Sequence, residues 1–427
     1  MIASTPPIHV PVARAAGPGV LFRLAELTLS MLLLVCYAPL WLLHFLAARL
    51  RGQCWLCAEE VMGAGGCVVR VYRANPLGLA FFDHPVIAGS PLLWSVLRGH
   101  FSLVGPAPVT AAWVADATPR LLERLQVRPG LVSTWYVRSR VNIAFEDEAE
   151  LALLDVRNRG FRQRFALLLK AVPALLFGSP QQASGTSINL FGLQMANLTR
   201  DEAVVSLLER AAASKRNRIA FVNPACVNIA MKHAAYHRVL QDTDLIFPDG
   251  IGLQIACKLT GQPLKDNLNG TDLYPALAAK MAETGQRLFL LGAKPGVVDE
   301  MATRAAKLWP SLRICGVQHG YYSPEEETAV VDAINASGAD VLLVAMGVPQ
   351  QELWIDRLLP RLESGVVMGV GGLFDFYSGR MPRAPLWMRE TGLEWAYRLL
   401  KEPRRMWRRY LVGNLVFFWH LARKHRG

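Results

Sequence analysis

The second half of the chain alternates between short apolar runs and longer amphipathic stretches. The amphipathic stretches, for example 295–309 and 323–337, have the length of helices and carry apolar residues at helical spacing. Apolar strands that alternate with helices are typical of a parallel sheet covered on both faces. We therefore predict an α/β fold with a Rossmann-like, mostly parallel sheet. Its strands are predicted at 218–223, 244–248, 287–292, 312–317, 340–347 and 365–372.

The first half contains an apolar segment at residues 27–48, which has no Asp, Glu, Lys or Arg. A run of about 20 such residues can cross the hydrocarbon core of a bilayer. Pro39 removes a backbone hydrogen bond in the middle, so a helix here should be kinked. Arg23 and Arg49 flank both ends, and the positive-inside rule therefore favours neither direction. A kinked, re-entrant helix with both ends in the cytoplasm fits this symmetry better than a straight span, and a buried core helix is the alternative.

Composition divides the chain into five segments. Residues 1–18 are rich in Pro, Ala and Gly without periodicity, which is typical of a flexible leader. The polar, glycine-containing stretch 179–187 is predicted to be a linker. It separates a membrane-associated, α-rich module at 19–178 from the α/β domain at 188–382. Residues 383–427 are predicted to form a basic helical appendage to that domain.

The distribution of charge indicates an anionic partner. The chain of 427 residues has a net charge of +12, and its last 45 residues hold eleven Lys and Arg against three Glu. These cations alternate with Trp, Tyr, Leu and Phe, so a helix here would lay an apolar face into a membrane interface. Guanidinium groups also suit a diphosphate, and a solvated basic helix is the alternative. No known nucleic-acid-reading module is recognisable, so nucleic acid is not an expected partner.

The seven cysteines indicate a reducing compartment. Their number is odd, and Cys36, Cys226 and Cys257 lie in apolar contexts, which argues against a disulfide scaffold. Cys54 and Cys57 have the spacing of a metal or redox pair. No second Cys or His pair accompanies them at zinc spacing, so ordinary small apolar residues are the favoured interpretation.

Candidate chemistry lies where the predicted strands end. In an open parallel sheet, ligands bind at the carboxyl ends of the strands. Asp249 follows the second strand directly, in Pro-Asp-Gly, where it could act as a general base or cap the next helix. Asp272 lies where a later helix begins, so it could either cap that helix or bind a sugar hydroxyl. Asp242 and Asp244 resemble a metal-binding pair, but they precede their strand and therefore lie at the wrong edge. The spacing of Thr199 and Glu202 predicts a capping box.

Motifs in the second half resemble the WecB/TagA/CpsF family of bacterial glycosyltransferases. They occur in the family's order over about residues 188–415, and the set is far more specific than any single member. The resemblance implies an inverting, metal-independent enzyme without a cofactor. It would transfer a sugar from a UDP-sugar to a polyisoprenyl-diphosphate-linked acceptor in exopolysaccharide or surface-glycan synthesis. The motifs are "FVNPACVNIA", "LIFPDGIG", "NLNGTDLYPAL", "LFLLGAKPG", "HGYYSPEEE", "AMGVPQQELWI", "GVGGLFDFYSG" and "RAPLWMRETGLEWAYRLLKEPRRMWRRYLVGN".

The same resemblance assigns roles to individual residues. Asp249 matches the family's general base, and Arg398, Arg405 and Arg408 match arginines that neutralise the diphosphate. Phe221 replaces a common Thr, and a basic residue is common near Asn267, so the donor sugar could differ from an N-acetylmannosamine type. The predicted substrate-binding residues are Asn223, Gly250, Asn269, Thr271, Asp272, Gly292, Gly296, Tyr321, Gln351 and Asp375.

The first half more faintly resembles the monotopic phosphoglycosyl transferases. "PLLWSVLRGHFSLVGPAP" at 91–108 and "VRPGLVSTWYVRSR" at 127–140 carry this resemblance. That family's Asp-Glu pair, whose Asp is the covalent nucleophile, is replaced by Ala88 and Gly89, and Ala107 replaces a usual Arg. We therefore interpret the first half as a degenerate module that anchors the enzyme to membrane lipid.

Three functional hypotheses remain at this point. The first is a glycosyltransferase at the cytoplasmic face of the inner membrane, and a homo-oligomer is compatible with it. The second is a bifunctional enzyme whose first half still transfers a sugar phosphate, using another carboxylate such as Asp83. The third is a membrane scaffold without activity. Intact Asp249, Gln351 and tail arginines favour an enzyme over a scaffold.

Overall fold

The structure of the protein is a computed structural model that describes residues 19–78, 85–140, 147–177, 185–213 and 215–424. The predicted leader, Asp83 and residues 179–184 of the predicted linker lie outside the described residues. Contacts divide the chain into two units, Met1–Gly178 and Ser179–Gly427.

The first unit begins with a helix that is longer than the apolar segment suggested. It runs from Val20 to Leu50 because Phe22 and Glu26 also pack into the unit. It is the one helix in the described part of the chain that is long and apolar enough to cross a membrane. The helices of this unit are α1 Val20–Leu50, α2 Pro85–Gly89, α3 Leu93–Leu97, α4 Ala111–Asp116, α5 Thr134–Arg140, α6 Glu148–Arg157 and α7 Phe161–Phe177.

A β-hairpin in the first unit was not predicted. Strands β1 Leu56–Met62 and β2 Val68–Ala74 pair antiparallel, and β3 Ser102–Val104 pairs parallel with β4 Gly130–Val132. In β2, buried and exposed side chains alternate along most of the strand, which is the period of a strand with one covered face. The α-rich module therefore also contains β structure.

The second unit contains the predicted parallel sheet, and the predicted α/β fold class is confirmed. Six strands lie in the order β10-β9-β11-β12-β7-β8, and every neighbouring pair is parallel. A separate antiparallel pair, β5 with β6, precedes the sheet and was not predicted. The strands are β5 Ser187–Leu190, β6 Leu193–Ala196, β7 Asn217–Val222, β8 Leu245–Pro248, β9 Arg287–Gly292, β10 Arg313–Gln318, β11 Val341–Ala345 and β12 Val366–Gly369.

Helices cover both faces of this sheet. One face packs against α8, α12 and α13 through buried residues such as Leu207, Leu277 and Met301. The other face packs against α9, α10, α11, α14 and α15, with Leu240 and Ile355 among the buried residues. These helices are α8 Arg200–Ala212, α9 Pro224–Ala230, α10 Ala234–Gln241, α11 Ile251–Leu259, α12 Gly270–Thr284, α13 Val297–Leu308, α14 Glu327–Ala336 and α15 Gln350–Leu358.

The first of these helices starts as its sequence predicted. Thr199 accepts a hydrogen bond from the Glu202 N–H, and the Glu202 carboxylate accepts one from the Thr199 N–H. The capping box is therefore confirmed, and it satisfies two N–H groups that the first turn of α8 leaves without helical partners.

The basic appendage is helical and packs on the α/β domain of the same unit. Phe417 is 0% exposed and lies 5.6 Å from Phe191, measured between ring centroids. Asn228 Nδ2 in α9 donates to the Gly413 carbonyl at 2.7 Å. The remaining helices are α16 Leu373–Tyr377, α17 Leu386–Glu390, α18 Glu394–Lys401, α19 Pro403–Trp407, a π-helical turn Arg408–Val412 and α20 Gly413–Lys424.

Candidate active site

Asp249 and Asn223 lie together at the carboxyl edge of the sheet. They follow the neighbouring strands β8 and β7, and the Asp249 N–H donates to the Val222 carbonyl at 2.7 Å. Asn223 Oδ1 accepts from the N–H groups of Ala225 and Cys226, which caps α9 and fixes the amide group. Its Nδ2 therefore points toward Asp249 and donates to Oδ2 at 3.3 Å. Asn223 and Asp249, both selected from the sequence, are thus direct neighbours.

The structure distinguishes between the two interpretations of Asp249. The residue that caps α11 is Gly250, with φ 90°, and no side chain makes the capping hydrogen bond. The Gly250 N–H instead donates to Asn267 Oδ1 at 2.7 Å. A left-handed φ of this size suits glycine. The Asp249 carboxylate is therefore not used as a helix cap and faces its neighbours at the sheet edge.

Charges of both signs act on the Asp249 carboxyl. Burial raises its pKa above the ordinary range, and the Asp272 carboxylate raises it further. The hydrogen bond from Asn223 and the positive charges of Arg409 and Arg398 oppose that rise. A carboxylate with a raised pKa is a stronger proton acceptor than an ordinary one, provided that it is ionised.

Gln351 joins two loops at the same edge. Its Oε1 accepts from the Gly347 N–H at 3.2 Å and from the Gly371 N–H at 2.9 Å, so it ties the loops that follow β11 and β12. Its Nε2 donates to Glu352 Oε1 at 2.7 Å. Glu352 is buried, and desolvation raises its pKa to about 7. Gln351 therefore forms part of the wall of the site, and Glu352 fixes the direction of its amide.

The tail arginines differ in their positions. Arg398 lies against the sheet edge, because its Nη2 is 2.9 Å from the place that a Cβ on Gly372 would occupy. Its guanidinium carbon also lies 5.1 Å from the ring centroid of Phe376. Arg405 is exposed and pairs with Glu402 at 3.2 Å, and Arg408 is exposed and lies over Trp407.

Arg409 is the arginine that sequence reasoning missed. Together with Arg398 it supplies the main positive charge on Asp249. The predicted role of Arg408 toward a diphosphate stays a prediction. Counting along one helix from Arg398 could have selected Arg409, since eleven residues make close to three turns. Such a count assumes one continuous helix, but the backbone leaves the helical region at Glu402, between α18 and α19.

The segment Asn269–Asp272 is held by its own hydrogen bonds. Asn269 caps α12, accepting from the Asp272 N–H at 2.9 Å, and its Nδ2 donates to Asp272 Oδ2 at 2.7 Å. The Thr271 carbonyl accepts from the Tyr377 hydroxyl at 2.8 Å. The Asp272 carboxylate also pairs with Arg383 at 2.7 Å, a partner that the sequence did not suggest. The N-cap of α12 is thus Asn269, and the Asp272 carboxylate is held by ionic and amide contacts.

The glycine loop after β9 has backbone angles that favour glycine. A Cβ on Gly292, whose φ is 131°, would lie 2.5 Å from the Ala345 carbonyl oxygen. Gly296 has φ 83° and precedes α13. Tyr321 is 66% exposed after β10, and Asp375 lies in α16, whose first residue follows the loop after β12. These four residues thus stand at or near the carboxyl edge, and their roles toward a ligand stay predictions.

The two departures from the family pattern flank Asp249. Phe221 is buried in β7 and packs against Phe247 and Gly270. Asn267 holds the backbone of Gly250, as described above. Asp244 of the rejected metal-binding pair directly precedes β8, at the opposite edge of the sheet. It pairs with Lys215 at 2.7 Å.

The first unit has no carboxylate at the two positions expected for its relatives. Ala88 and Gly89 end helix α2. Two buried carboxylates elsewhere in the unit have internal partners. Glu26 accepts from the Leu103 N–H at 2.8 Å and from Arg23 at 3.2 Å. Asp155 accepts from the Thr134 N–H at 2.9 Å, and its burial raises its pKa. Among the described residues, no group of three or more His, Cys, Asp or Glu is placed to hold a metal ion.

Two family descriptions match the chain. Residues 188–427 match the glycosyl transferase WecG/TagA/CpsF family, and residues 86–178 match the bacterial sugar transferase family. The first match covers more than half of the chain and contains the whole sheet.

Two similar proteins bear the name N-acetylglucosaminyldiphosphoundecaprenol N-acetyl-beta-D-mannosaminyltransferase. The protein from Bacillus spizizenii is 39% identical over 199 residues, which is 46% of this chain and 76% of the relative. The protein from Bacillus subtilis is 35% identical over 193 residues, which is 45% of this chain and 74% of the relative. Sheet, motifs and relatives agree, and the chain belongs to the WecG/TagA/CpsF family of glycosyl transferases.

Proposed function

We propose that the chain transfers a sugar, with inversion, from a UDP-sugar to a polyisoprenyl-diphosphate-linked acceptor. The observation that carries this proposal is the Asp249 carboxylate at the sheet edge, which caps no helix and accepts a hydrogen bond from Asn223. The positive charges of Arg398 and Arg409 also act on it. The names of the two relatives support a diphosphoundecaprenol-linked N-acetylglucosamine as the acceptor. The pathway would be synthesis of an exopolysaccharide or another surface glycan.

The proposed reaction is a single displacement. An Asp249 oxygen takes the proton of the acceptor hydroxyl while the hydroxyl oxygen attacks the anomeric carbon of the donor. The bond from that carbon to the UDP oxygen breaks, and UDP leaves with the electron pair. Attack on the face opposite to the leaving group inverts the anomeric centre. Asn223 would hold the Asp249 carboxylate in the direction needed for this transfer.

Arginines would stabilise the charge that develops on the leaving diphosphate. Arg398 and Arg409 act on Asp249 already, and Arg405 and Arg408 lie on the adjoining segments of the tail. Guanidinium groups bind phosphate oxygens through two parallel hydrogen bonds and neutralise charge without a metal ion. This supports a metal-independent mechanism. The predicted pocket residues Gly250, Gly292, Gly296, Tyr321, Gln351 and Asp375 would surround the nucleotide and sugar.

The enzyme would work at the cytoplasmic face of the inner membrane. Helix α1 is long and apolar enough to enter a bilayer, and α20 and its neighbours expose Trp407, Leu415 and Trp419 beside arginines. Such a surface suits a membrane interface, where the lipid-linked acceptor is found. The first unit, without carboxylates at Ala88 and Gly89, would serve as an anchor.

The substitution Asp249→Asn tests the proposal. Loss of a general base should lower turnover by about 100-fold to 10,000-fold. Binding of UDP should persist, because the loops around the nucleotide are unchanged.

The assay uses detergent-solubilised full-length protein, a panel of UDP-sugars and a short-chain lipid-diphosphate N-acetylglucosamine, and it identifies products by mass. Asp242→Asn, at the opposite edge of the sheet, is the matched control. Full turnover by Asp249→Asn would refute the assignment.

The nucleotide released distinguishes the proposal from a bifunctional enzyme. Sugar transfer releases UDP, whereas transfer of a sugar phosphate to polyprenyl phosphate releases UMP. We expect UDP alone. Release of UMP with polyprenyl phosphate as the acceptor would show that the first unit has kept its own chemistry. No transfer with any sugar of the panel would favour the scaffold hypothesis.

A further inference from the structure

A three-residue ionic cluster joins the appendage to the α/β domain. Arg383 Nη1 lies 2.7 Å from Asp272 Oδ1, and Arg383 Nη2 lies 3.4 Å from Glu394 Oε1. One guanidinium therefore contacts two carboxylates, one at the start of α12 and one at the start of α18. All three side chains are partly buried, so water screens these contacts less than it screens surface pairs.

The α12 end of this cluster is fixed. Asn269 donates to Asp272 at 2.7 Å, and the Tyr377 hydroxyl donates to the Thr271 carbonyl at 2.8 Å. Tyr377 in turn packs against Tyr274, with 4.7 Å between their ring centroids. Asp272 thus offers Arg383 a partner that the hydrophobic core holds in place.

The α18 end is held by partly buried contacts. No side chain of α18 is fully buried, although the helix carries Arg398. Leu400 on this helix is 75% exposed. Most side chains of the helix are partly buried, and the ring centroid of Trp395 lies 6.1 Å from that of Tyr410. Contacts of Glu394 with Arg383 at one end and of Arg398 with Phe376 near the other also attach it.

The charges in the cluster depend on one another. Burial lowers the pKa of Arg383. The carboxylates of Asp272 and Glu394 raise this pKa by more, so the net shift is upward. Burial raises the pKa of Glu394, and Arg383 is the largest influence that opposes this rise. Removal of Arg383 would leave two carboxylates facing each other in a partly desolvated place, which is strongly unfavourable.

We propose that Arg383 is a positioning residue that holds the start of α18 on Asp272 and thereby keeps Arg398 at the carboxyl edge of the sheet, against Gly372. Glu394 and Arg398 are four residues apart, so one helical turn connects the ionic contact to the active-site arginine. This inference rests on the proposed function for its catalytic meaning, but the attachment of α18 is a property of the fold alone.

Hydrogen exchange tests the attachment without any assay of activity. In full-length Arg383→Met, amides of residues 394–401 should exchange at least about tenfold faster than in the wild type, because α18 opens more often. Arg383→Lys should give an intermediate rate, since one ammonium group cannot match both contacts of the planar fork. Arg357→Met is the control, because it removes an Arg–Glu pair between α14 and α15 in the same unit. Unchanged exchange in 394–401 would overturn the proposal.

A double-mutant cycle tests the effect on the reaction. If Arg383 acts through Arg398, then Arg398→Met should lower kcat strongly in the wild type and by less than about threefold in Arg383→Met. Losses that simply multiply would show that Arg383 does not act through Arg398. Absence of any transferase activity would count against the proposed function, while the exchange result would still decide whether Arg383 holds α18.

Discussion

The behaviour of Asp249 depends on charges that lie far apart in the sequence. Asp272 raises the pKa of its carboxyl, and Arg398 and Arg409 lower it, while burial shifts the balance upward. A general base must be ionised, so kcat/KM should increase with pH as Asp249 loses its proton. Because the pKa is raised, this increase should occur above the pH range of an ordinary Asp.

Substitution of Arg409 should change the pH at which kcat/KM rises. Arg409→Gln removes a positive charge that favours the ionised carboxylate, so the pKa of Asp249 should rise further. The rise of kcat/KM should then shift to higher pH, independently of any loss in maximal rate. Arg404 is an exposed arginine on α19, so Arg404→Gln is the matched control and should leave the pH of this rise unchanged. A shift to lower pH in Arg409→Gln would contradict this electrostatic account.

The helices of the appendage differ in how they are held. Helix α20 is attached by hydrophobic packing, because Phe417 is fully buried against Phe191 and α9. Helix α18 buries no side chain completely, and it combines the ionic contact of Glu394 with a ring contact of Trp395 with Tyr410. The two helices are therefore attached by different kinds of contact.

Phe417→Ala tests the packing of α20. Removal of a fully buried phenylalanine should cost about 3–5 kcal/mol, which is enough to detach a terminal helix. Limited proteolysis should then cleave within residues 413–424 much faster than in the wild type. Trp419→Ala is the control on the same helix, because Trp419 is 54% exposed. Equal cleavage of the two variants would show that Phe417 does not hold α20.

The chain combines two elements suited to membranes. Helix α1 contains a long apolar segment, whereas the appendage carries exposed aromatic and basic side chains on a domain with its own core. A transmembrane or re-entrant helix binds a bilayer far more firmly than an interfacial segment does. The appendage should therefore serve the reaction and its lipid substrate, and α1 should retain the protein.

Truncation after Trp387 separates these two roles. The shortened chain should lose transferase activity, because it lacks Arg398 and Arg409, yet it should stay in the membrane pellet after a carbonate wash. The full-length double variant Arg398→Gln/Arg409→Gln keeps Phe417 and controls for damage to the core. It should also be inactive and stay in the pellet. Release of the truncated chain into the supernatant would show that the appendage, not α1, retains the protein.

The strands and the edge that carries the site were predictable from the sequence. Each predicted strand of the sheet overlaps an observed one, because the apolar pattern of a buried strand is a local property. Asp249 was placed at the carboxyl edge by the end of its strand alone. The β1–β2 hairpin was missed, although Val68–Ala74 alternates between exposed and buried side chains along most of its length.

The directions of side chains and the partners of charges required the folded chain. Sequence could not distinguish Asp249 as a helix cap from Asp249 as a base, because that depends on where Gly250 and Asn267 lie. It gave no sign that Arg409 acts on Asp249, because that depends on how the segments after Glu402 pack. It gave no sign that Arg383 joins Asp272 to Glu394. Such contacts are set by packing between distant segments, whereas hydrophobic periodicity records only the local fold.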